Sequence, residues 1–412
     1  MSAKLDCDVL IVGGGLVGSA LAAALGRLPV SVVLVEARDP AALEQPSFDA
    51  RVTALANGSQ RILAGLGLWP ALAAEAEPIE LIHISERGRL GAARISAAEE
   101  RVPALGYVVE NRVIGAALWD ALRAAPRFTW LAPARVTALG THADGVVAAV
   151  ARDGETVEVR AKLAVAADGA RSAVREALGV AVAEHDYRQR ALILNCVTEV
   201  APARRAFERF TPDGPLAFLP LTGGRSGVIW TVPPHEAEAL LALPPDAFRD
   251  RLQDAFGQRL GRIVRVGERA VHPLARVTAE RPRVPRAVLI GNAAVTLHPV
   301  AGQGFNLALR DVAALADLLR DEALRRGAHA DPGHAALLDR YYAWRSADRV
   351  KVTRFTHGLV RLFTARTPGL GLLRGLGLVA FDLAPGAKAA LARHTMGRAG
   401  RLPRLARGLP LS

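Results

Sequence analysis

At 412 residues, 51% hydrophobic and 22% charged, the chain is too long for one small core and too apolar for a disordered protein, so two intertwined lobes are expected. Its formal charge of +12 admits an acidic partner such as nucleic acid or an anionic membrane, yet lysine occurs only at Lys4, Lys162, Lys351 and Lys388, and an excess made of arginine reads equally as a compositional habit. Two cysteines, Cys7 and Cys196, cannot build a disulfide framework and no His/Cys cluster offers a metal site, which points to a reducing, cytoplasmic setting.

The apolar run from Asp8 to Val12 ends in glycine and predicts a strand buried on both faces of a parallel sheet. Gly13-Gly14-Gly15-Leu16-Val17-Gly18 follows, then a helix through Leu21 and Leu25, then a second strand from Val30 to Val35 that ends in Glu36. Strand, G-x-G-x-x-G turn, helix, strand and acid stand in the order of a dinucleotide-binding unit. Gly13 permits the tight turn, Gly15 lets the backbone approach a pyrophosphate, and Gly18 lets the helix pack closely on the strand. The helix start offers free N–H groups and a positive dipole end to phosphates, and Glu36 can accept from ribose hydroxyls. This unit alone leaves NAD and FAD open. The stretch from Val9 to Leu25 is apolar, but it is short, interrupted by glycines and preceded by Asp6 and Asp8, so it reads as neither anchor nor secretory signal.

Two further motifs decide for flavin. Leu163 to Ala167 predicts a strand ending in the Asp168-Gly169 turn, with a helix containing Arg175 after it; taken alone, Asp-Gly is an ordinary turn. Ala287 to Ile290 predicts another buried strand, which delivers Gly291-Asn292-Ala293-Ala294 and then His298-Pro299-Val300-Ala301-Gly302-Gln303-Gly304-Phe305-Asn306, with a helix from about Leu307 to Leu319.

With these residues in hand, the sequence resembles the aromatic flavoprotein monooxygenases typified by para-hydroxybenzoate hydroxylase. The resemblance is greatest to their ubiquinone-biosynthesis branch, the polyprenylphenol hydroxylases, and within it to the 2-octaprenyl-6-methoxyphenol hydroxylases. It spans nearly the whole chain and includes Asp49-Ala50-Arg51-Val52-Thr53-Ala54-Leu55, Leu105 to Asn111, Phe207-Glu208-Arg209-Phe210 and Gly214 to Pro220; the segment from His298 to Asn306 matches the branch signature most specifically. Two positions depart from the wider family: Asn292 stands where Asp is usual, keeping an acceptor oxygen without the charge, and Ala308 stands where Gly is expected.

The resemblance implies an α/β fold: a Rossmann-like FAD-binding domain of the para-hydroxybenzoate hydroxylase type, an inserted substrate-binding β-sheet domain and a helical C-terminal tail. It assigns 1–75, 100–180 and 268–335 to the FAD lobe, 76–99 and 181–267 to the substrate sheet and 336–412 to the helical region. For the cofactor it implies Gly13, Gly15, Gly18, Glu36, Arg51, Arg112, Asp168, Asn292, Gly302, Gly304 and Asn306, with NAD(P)H as a visiting reductant and O2 as co-substrate. A flavin C4a-hydroperoxide would then hydroxylate a polyprenylated phenol, with Gly302, Gln303 and Gly304 aiming N–H groups at the flavin edge that becomes negative on reduction. His298 has two readings, an acid–base group or a residue that orients the Pro299 turn. Tyr187, Gln189, Phe210, Pro220 and Pro299 are the candidate substrate contacts, and each has a plain core reading beside it.

The competing functions are an oxygen-independent prenyl-chain reductase, a monooxygenase for another aromatic substrate and a flavin-holding scaffold. Expected partners are the phenol, other quinone-biosynthesis proteins and a peripheral membrane surface on the inner face of the cytoplasmic membrane, with no nucleic acid. For the last, the segment Leu383 to Ser412 carries six basic residues among leucines and no acid, which suits an anionic leaflet; its glycines and prolines equally suit a solvated, partly disordered end.

Overall fold

The computed structural model describes residues 4–39, 51–365 and 367–411. Asp49 and Ala50 of the stretch Asp49 to Leu55, and Ser412, lie outside the described residues.

A parallel sheet forms the heart of the first lobe. Five of the eight described strands of its sheet run parallel in the order Ala287–Leu289, Glu155–Ala166, Lys4–Val12, Val32–Val35 and Phe128–Leu131, and Arg283–Val284, Val146–Arg152 and Arg135–Thr141 add antiparallel pairs. Val9, Leu10 and Ile11 are fully buried, as a strand covered on both faces by helices must be. The helices Leu16–Leu25 and Gln303–Arg326 cover one face, meeting in a core with Leu21, Leu25, Leu309, Val312 and Leu315. The glycine-containing stretch from Val9 to Leu25 is therefore a buried strand and helix. Among the described residues no single helix is long and apolar enough to cross a membrane.

The second lobe is a nine-stranded sheet built around the long strand Val182–Thr198. Leu81–Glu86 and Ala92–Ser96 pair at one end of it, the first of them parallel to Arg205–Thr211. Ala270–Ala279 falls in the stretch expected to belong to the FAD lobe; it instead runs antiparallel to Val182–Thr198 over ten register pairs, which adds it to this sheet as a mostly half-buried strand. A three-stranded sheet, Val52–Ala56, Gly106–Glu110 and Glu77–Ile79, packs on both lobes: Leu55 and Val109 join the core of the first, and Ile79 and Val108 pack with Ala206 and Leu221 of the second.

Three C-terminal helices, Ala335–Thr364, Leu370–Asp382 and Pro385–Thr395, follow. The first is fastened to helix Gln303–Arg326 by a buried ionic cluster: Asp311 accepts from Arg345 at 2.6 Å and Arg349 at 2.9 Å, Arg349 also donates to the Tyr341 hydroxyl, and Asp348 bridges Arg310 and Arg345. The segment beyond Met396 folds back onto the first lobe. Leu405 and Leu411 are buried there, Gly65 leaving the room that Leu405 fills, and Arg404 N–H donates to Asp317. From Leu391 on, the tail's leucines are thus buried or half-buried against the protein, which corrects the expectation of a solvated, partly disordered end; Leu383 at its start is exposed, and Arg393, Arg401 and Arg407 stay on the surface.

The exposed leucines lie at and before Leu383. Leu372, Leu373, Leu376, Val379 and Leu383 are all open to solvent, so helix Leu370–Asp382 turns an uncharged apolar stripe outward while Gly371, Gly375 and Leu378 face the protein. Arg374 anchors it through a two-pronged ion pair to buried Glu86 and donates to the carbonyls of Leu362 and Ala365. Leu90, 93% exposed at the tip of the adjoining hairpin, extends the stripe.

Candidate functional site

The three separated motifs converge at the carboxyl ends of the parallel strands. Gly13 takes a left-handed φ of +104°, and a Cβ there would stand 2.5 Å from the Ala167 carbonyl oxygen, so the first turn and the Asp-Gly turn touch backbone to backbone. A Cβ on Gly18 would lie 1.9 Å from the Gly13 carbonyl oxygen, which is the close helix approach expected of the third glycine. Gly291, with φ of +58°, sets its backbone against Val17 and joins the third motif to the first. Gly15 caps helix Leu16–Leu25 with no side chain over the helix start, and no acid sits in the first turn to compete with an anion.

These residues fit a dinucleotide. Glu36 is held at the end of its strand and accepts from the Gly14 and Arg38 N–H groups at 2.6 and 2.9 Å, which aims its carboxylate at the glycine turn. Asp168 accepts from Val174 N–H with one oxygen, while the other is buried without a partner, an acceptor left over for a ligand. Arg112 pairs with Glu110 at 2.6 Å, and Glu110 in turn holds Arg225. Arg51 lines the large cavity described below, its carbonyl receiving the N–H of Asn111. Removing the Glu36 carboxylate as Glu36→Ala is expected to weaken FAD binding by about 1.5–3 kcal/mol, the worth of hydrogen bonds to a charged acceptor, while the FAD-free chain stays folded. Fluorescence titration with FAD measures it, and an unaltered affinity removes Glu36 from the ribose role.

The third motif forms one end of that cavity. Ala301 and Gly302 are both left-handed, at φ of 57° and 59°, a double turn that swings the chain into helix Gln303–Arg326. At Gly304 a Cβ would meet nothing within 4 Å, so the helix start faces open space, and Gln303 keeps a buried side-chain oxygen unpartnered. Asn292 stands at the cavity wall on the turn Gly291–Ala293. Asn306 is corrected here: its amide donates to the Ala54 and Gly302 carbonyls and its oxygen accepts from Ala56 N–H, so it clamps helix to strand and its polar atoms are spent on the protein. His298 is fully buried; its Nδ1 accepts from Val300 N–H at 3.1 Å, a contact that orients the Pro299 turn and leaves the hydrogen on Nε2, which is buried without a partner. Burial holds its pKa down at about 4, so the imidazole is neutral near pH 7.

The cavity has a volume of about 840 Å³. Phe210 and Pro299 line it, whereas Tyr187, Gln189 and Pro220 are corrected as wall residues. Tyr187 stacks edge-on behind His298 and hydrogen-bonds His357, Gln189 donates to the Asp213 carbonyl, and Pro220 lies on the opposite face of its strand from Pro215, Ala217 and Leu219. A register shift between Asp186 and Gln189 turns the long strand locally, so its cavity-facing residues are Ala191 and Ile193. Sequence reading missed the C-terminal helices as a wall: Leu359, Phe363, Leu373, Leu378 and Phe381 close the cavity opposite the sheet. Nothing in their local pattern distinguishes a helix that faces a cavity from one that faces a core.

A family model described as an FAD binding domain matches residues 6–356. The chain is 43% identical over its whole length to the ubiquinone hydroxylase UbiL of Rhodospirillum rubrum, covering 95% of that protein, and 35% identical to the 3-demethoxyubiquinol 3-hydroxylase of Escherichia coli, covering 98% of it. Human ubiquinone biosynthesis monooxygenase COQ6 is 30% identical over 90% of the chain, with 89% of that protein covered. The crystal structure of p-nitrophenol 4-monooxygenase PnpA from Pseudomonas putida superposes with a TM-score of 0.78 over 97% of this chain and 100% of that one; at 20% identity this speaks for the fold. Three motifs meeting on one dinucleotide site, a large apolar cavity against the third of them and full-length similarity lead to one assignment: the chain belongs to the FAD-dependent hydroxylase family of ubiquinone biosynthesis.

Proposed function

We propose that this chain hydroxylates the aromatic ring of a polyprenylated phenol, with NAD(P)H as reductant and O2 as the oxygen source. The observation that carries this reading is the cavity. One end is the flavin-motif turn from Pro299 to Gly304, the walls are isoleucine, leucine, alanine and phenylalanine, and the far end reaches Leu362 and Leu373, which are exposed on the outer surface. A small polar aromatic acid has no use for so much apolar wall; a ring carrying an isoprenoid tail does. Bound and reduced, the flavin supplies activation of O2. The chain's own part is to bind, orient and keep dry: N–H groups at the start of helix Gln303–Arg326 oppose developing negative charge, and the apolar wall excludes water. Glycines 13, 15 and 18, with Glu36, Arg51, Arg112, Asp168 and Asn292, hold the cofactor.

Incubation with a 2-polyprenylphenol, NADPH and isotopically labelled O2 is expected to give phenol-dependent NADPH oxidation and one labelled oxygen per hydroxylated ring. A saturated prenyl chain without label would instead establish a reductase.

The apolar stripe of helix Leu370–Asp382 docks on an anionic lipid surface, from which such a substrate reaches the cavity mouth. Arg89, exposed and packed against Gly371 of this helix, supplies complementary charge worth roughly 1 kcal/mol near an anionic leaflet. Co-sedimentation with phosphatidylglycerol-containing vesicles is expected to weaken with salt and to be lost in the Leu372→Glu/Leu376→Glu variant, whose substituted side chains do not line the cavity. A dimer in solution broken by the same substitutions would assign the face to a second copy of the chain.

A further inference from the structure

One carboxylate faces the cavity without a partner. In strand Arg205–Thr211 the side chains alternate: Arg209 turns away to donate to the Ala255 carbonyl and the Phe207 ring packs on Phe256 at the cavity's border, while Ala206, Glu208 and Phe210 line the cavity. Register places Glu208 in a row across the sheet with Ile84 on one side and Ala217, Ile229 and Ile193 on the other, all lining the same space. Among the described residues it is the only carboxylate on the cavity wall, and no hydrogen bond or ion pair reaches its side chain. The other charged or titratable groups on the wall are Arg51, His272, His298 and Arg374; His298 is held neutral by burial and the Arg374 charge is taken up by Glu86.

An acid set alone in an apolar wall is costly unless something in the cavity uses it. We propose that Glu208 binds the ring hydroxyl of the phenol and takes its proton as the ring is oxygenated. As the C–O bond forms at the ring carbon, the phenolic O–H bond breaks and its proton passes to the Glu208 carboxylate. The attacked carbon then sheds its own hydrogen as a proton when aromaticity returns, and Glu208 gives its proton back to the hydroxyl oxygen. One oxygen atom of O2 enters the product and the other leaves as water, the two electrons coming from NAD(P)H. Burial supports the role by raising the Glu208 pKa from 4.5 to about 7, a base matched to neutral pH. This inference rests on the phenol reading above.

The test compares FAD-loaded wild type with Glu208→Gln and Glu208→Leu, using 2-farnesylphenol and its O-methyl ether as probes. Flavin absorbance titration reads binding without turnover. Wild type is expected to prefer the phenol over the ether by about tenfold or more, and both variants to lose that preference while binding the ether as well as wild type does. In turnover, kcat of Glu208→Gln is expected to fall by about 100-fold or more, with loss of the wild-type rise in kcat/KM through about pH 7. An activity-free readout accompanies these. The folded chain keeps the Glu208 proton up to about pH 7, whereas the unfolded chain releases it near 4.5, so wild type loses stability relative to Glu208→Gln as pH rises through that window. Variants that keep the phenol preference and the pH profile overturn the assignment of Glu208. Phenol preference lost in the variants without hydroxylation by wild type upholds the hydroxyl site and overturns the reaction assigned to it, whereas hydroxylation unaffected by either variant upholds the reaction and overturns Glu208.

Discussion

Replacing Asp311 by alanine is expected to destabilise the protein by about 3–5 kcal/mol, because it strands buried cations. Asp311, Arg345 and Arg349 are each at most 5% exposed, and both arginines direct their nitrogens at the one carboxylate. Burial alone would discourage the charge on Arg349; Asp311 beside it more than offsets that, and its pKa stands above the ordinary range. Without Asp311, Asp348 still meets Arg345, but Arg349 keeps only the Tyr341 hydroxyl and a long contact to the Leu289 carbonyl. Urea denaturation measures the loss. A triple variant, Asp311→Leu with Arg345→Met and Arg349→Met, is expected to recover most of it, since an apolar replacement removes the uncompensated charges. A loss below about 1 kcal/mol in Asp311→Ala would mean that water reaches the arginines in the native state.

The second large effect is at Gly18. A methyl group there would stand 1.9 Å from the Gly13 carbonyl oxygen, a backbone atom with no freedom to rotate away, so Gly18→Ala must push the helix off the turn. We expect loss of bound FAD by more than about tenfold together with a lower melting temperature, since the same contact shapes the phosphate site and packs the lobe. Gly304→Ala provides the contrast. Its added methyl meets no protein atom, so the FAD-free chain should be unchanged or stabilised by up to about 1 kcal/mol from better helix propensity, while FAD binding falls. Equal behaviour of the two variants in the absence of FAD would refute the distinction between a glycine needed by the fold and one needed by the ligand.

Much of the cofactor lobe was legible because its signals are local. The strand and turn from Asp8 to Gly18, the Asp168 turn and the segment from His298 to Asn306 each announce an element by a short pattern, and the structure brings them into contact. What a residue does once there was less legible. Asn306 has the chemistry of a cofactor ligand and uses it as a clamp, which depends on strand Val52–Ala56 arriving from a distant part of the chain. Tyr187 sits in the register shift between Asp186 and Gln189, which leaves no mark in composition, and Gln189, on the same strand face as Ala191 and Ile193, spends its amide on the Asp213 carbonyl. Glu208 was visible inside a recognised motif, yet its isolation is a property of Ile84, Ala217 and Ile229 on three neighbouring strands. The burial of Leu405 and Leu411 was not legible because amphipathicity is the same whether the apolar face meets lipid or a neighbouring helix.

The order of strands in the first lobe bears on how the protein is made. Its parallel sheet draws on residues 4–12, 32–35, 128–131, 155–166 and 287–289, whereas the antiparallel pairs from Val182–Thr198 to Ala270–Ala279 come from one continuous stretch. Pairings between remote segments form slowly, because chain entropy is lost before any contact compensates it. During synthesis the contiguous sheet can therefore mature while the early strands wait, their buried valines and leucines uncovered, until Ala287–Leu289 leaves the ribosome. The half-made first lobe is the aggregation-prone species, and chaperone demand should track its edge at Glu155–Ala166 more than any feature of the finished surface.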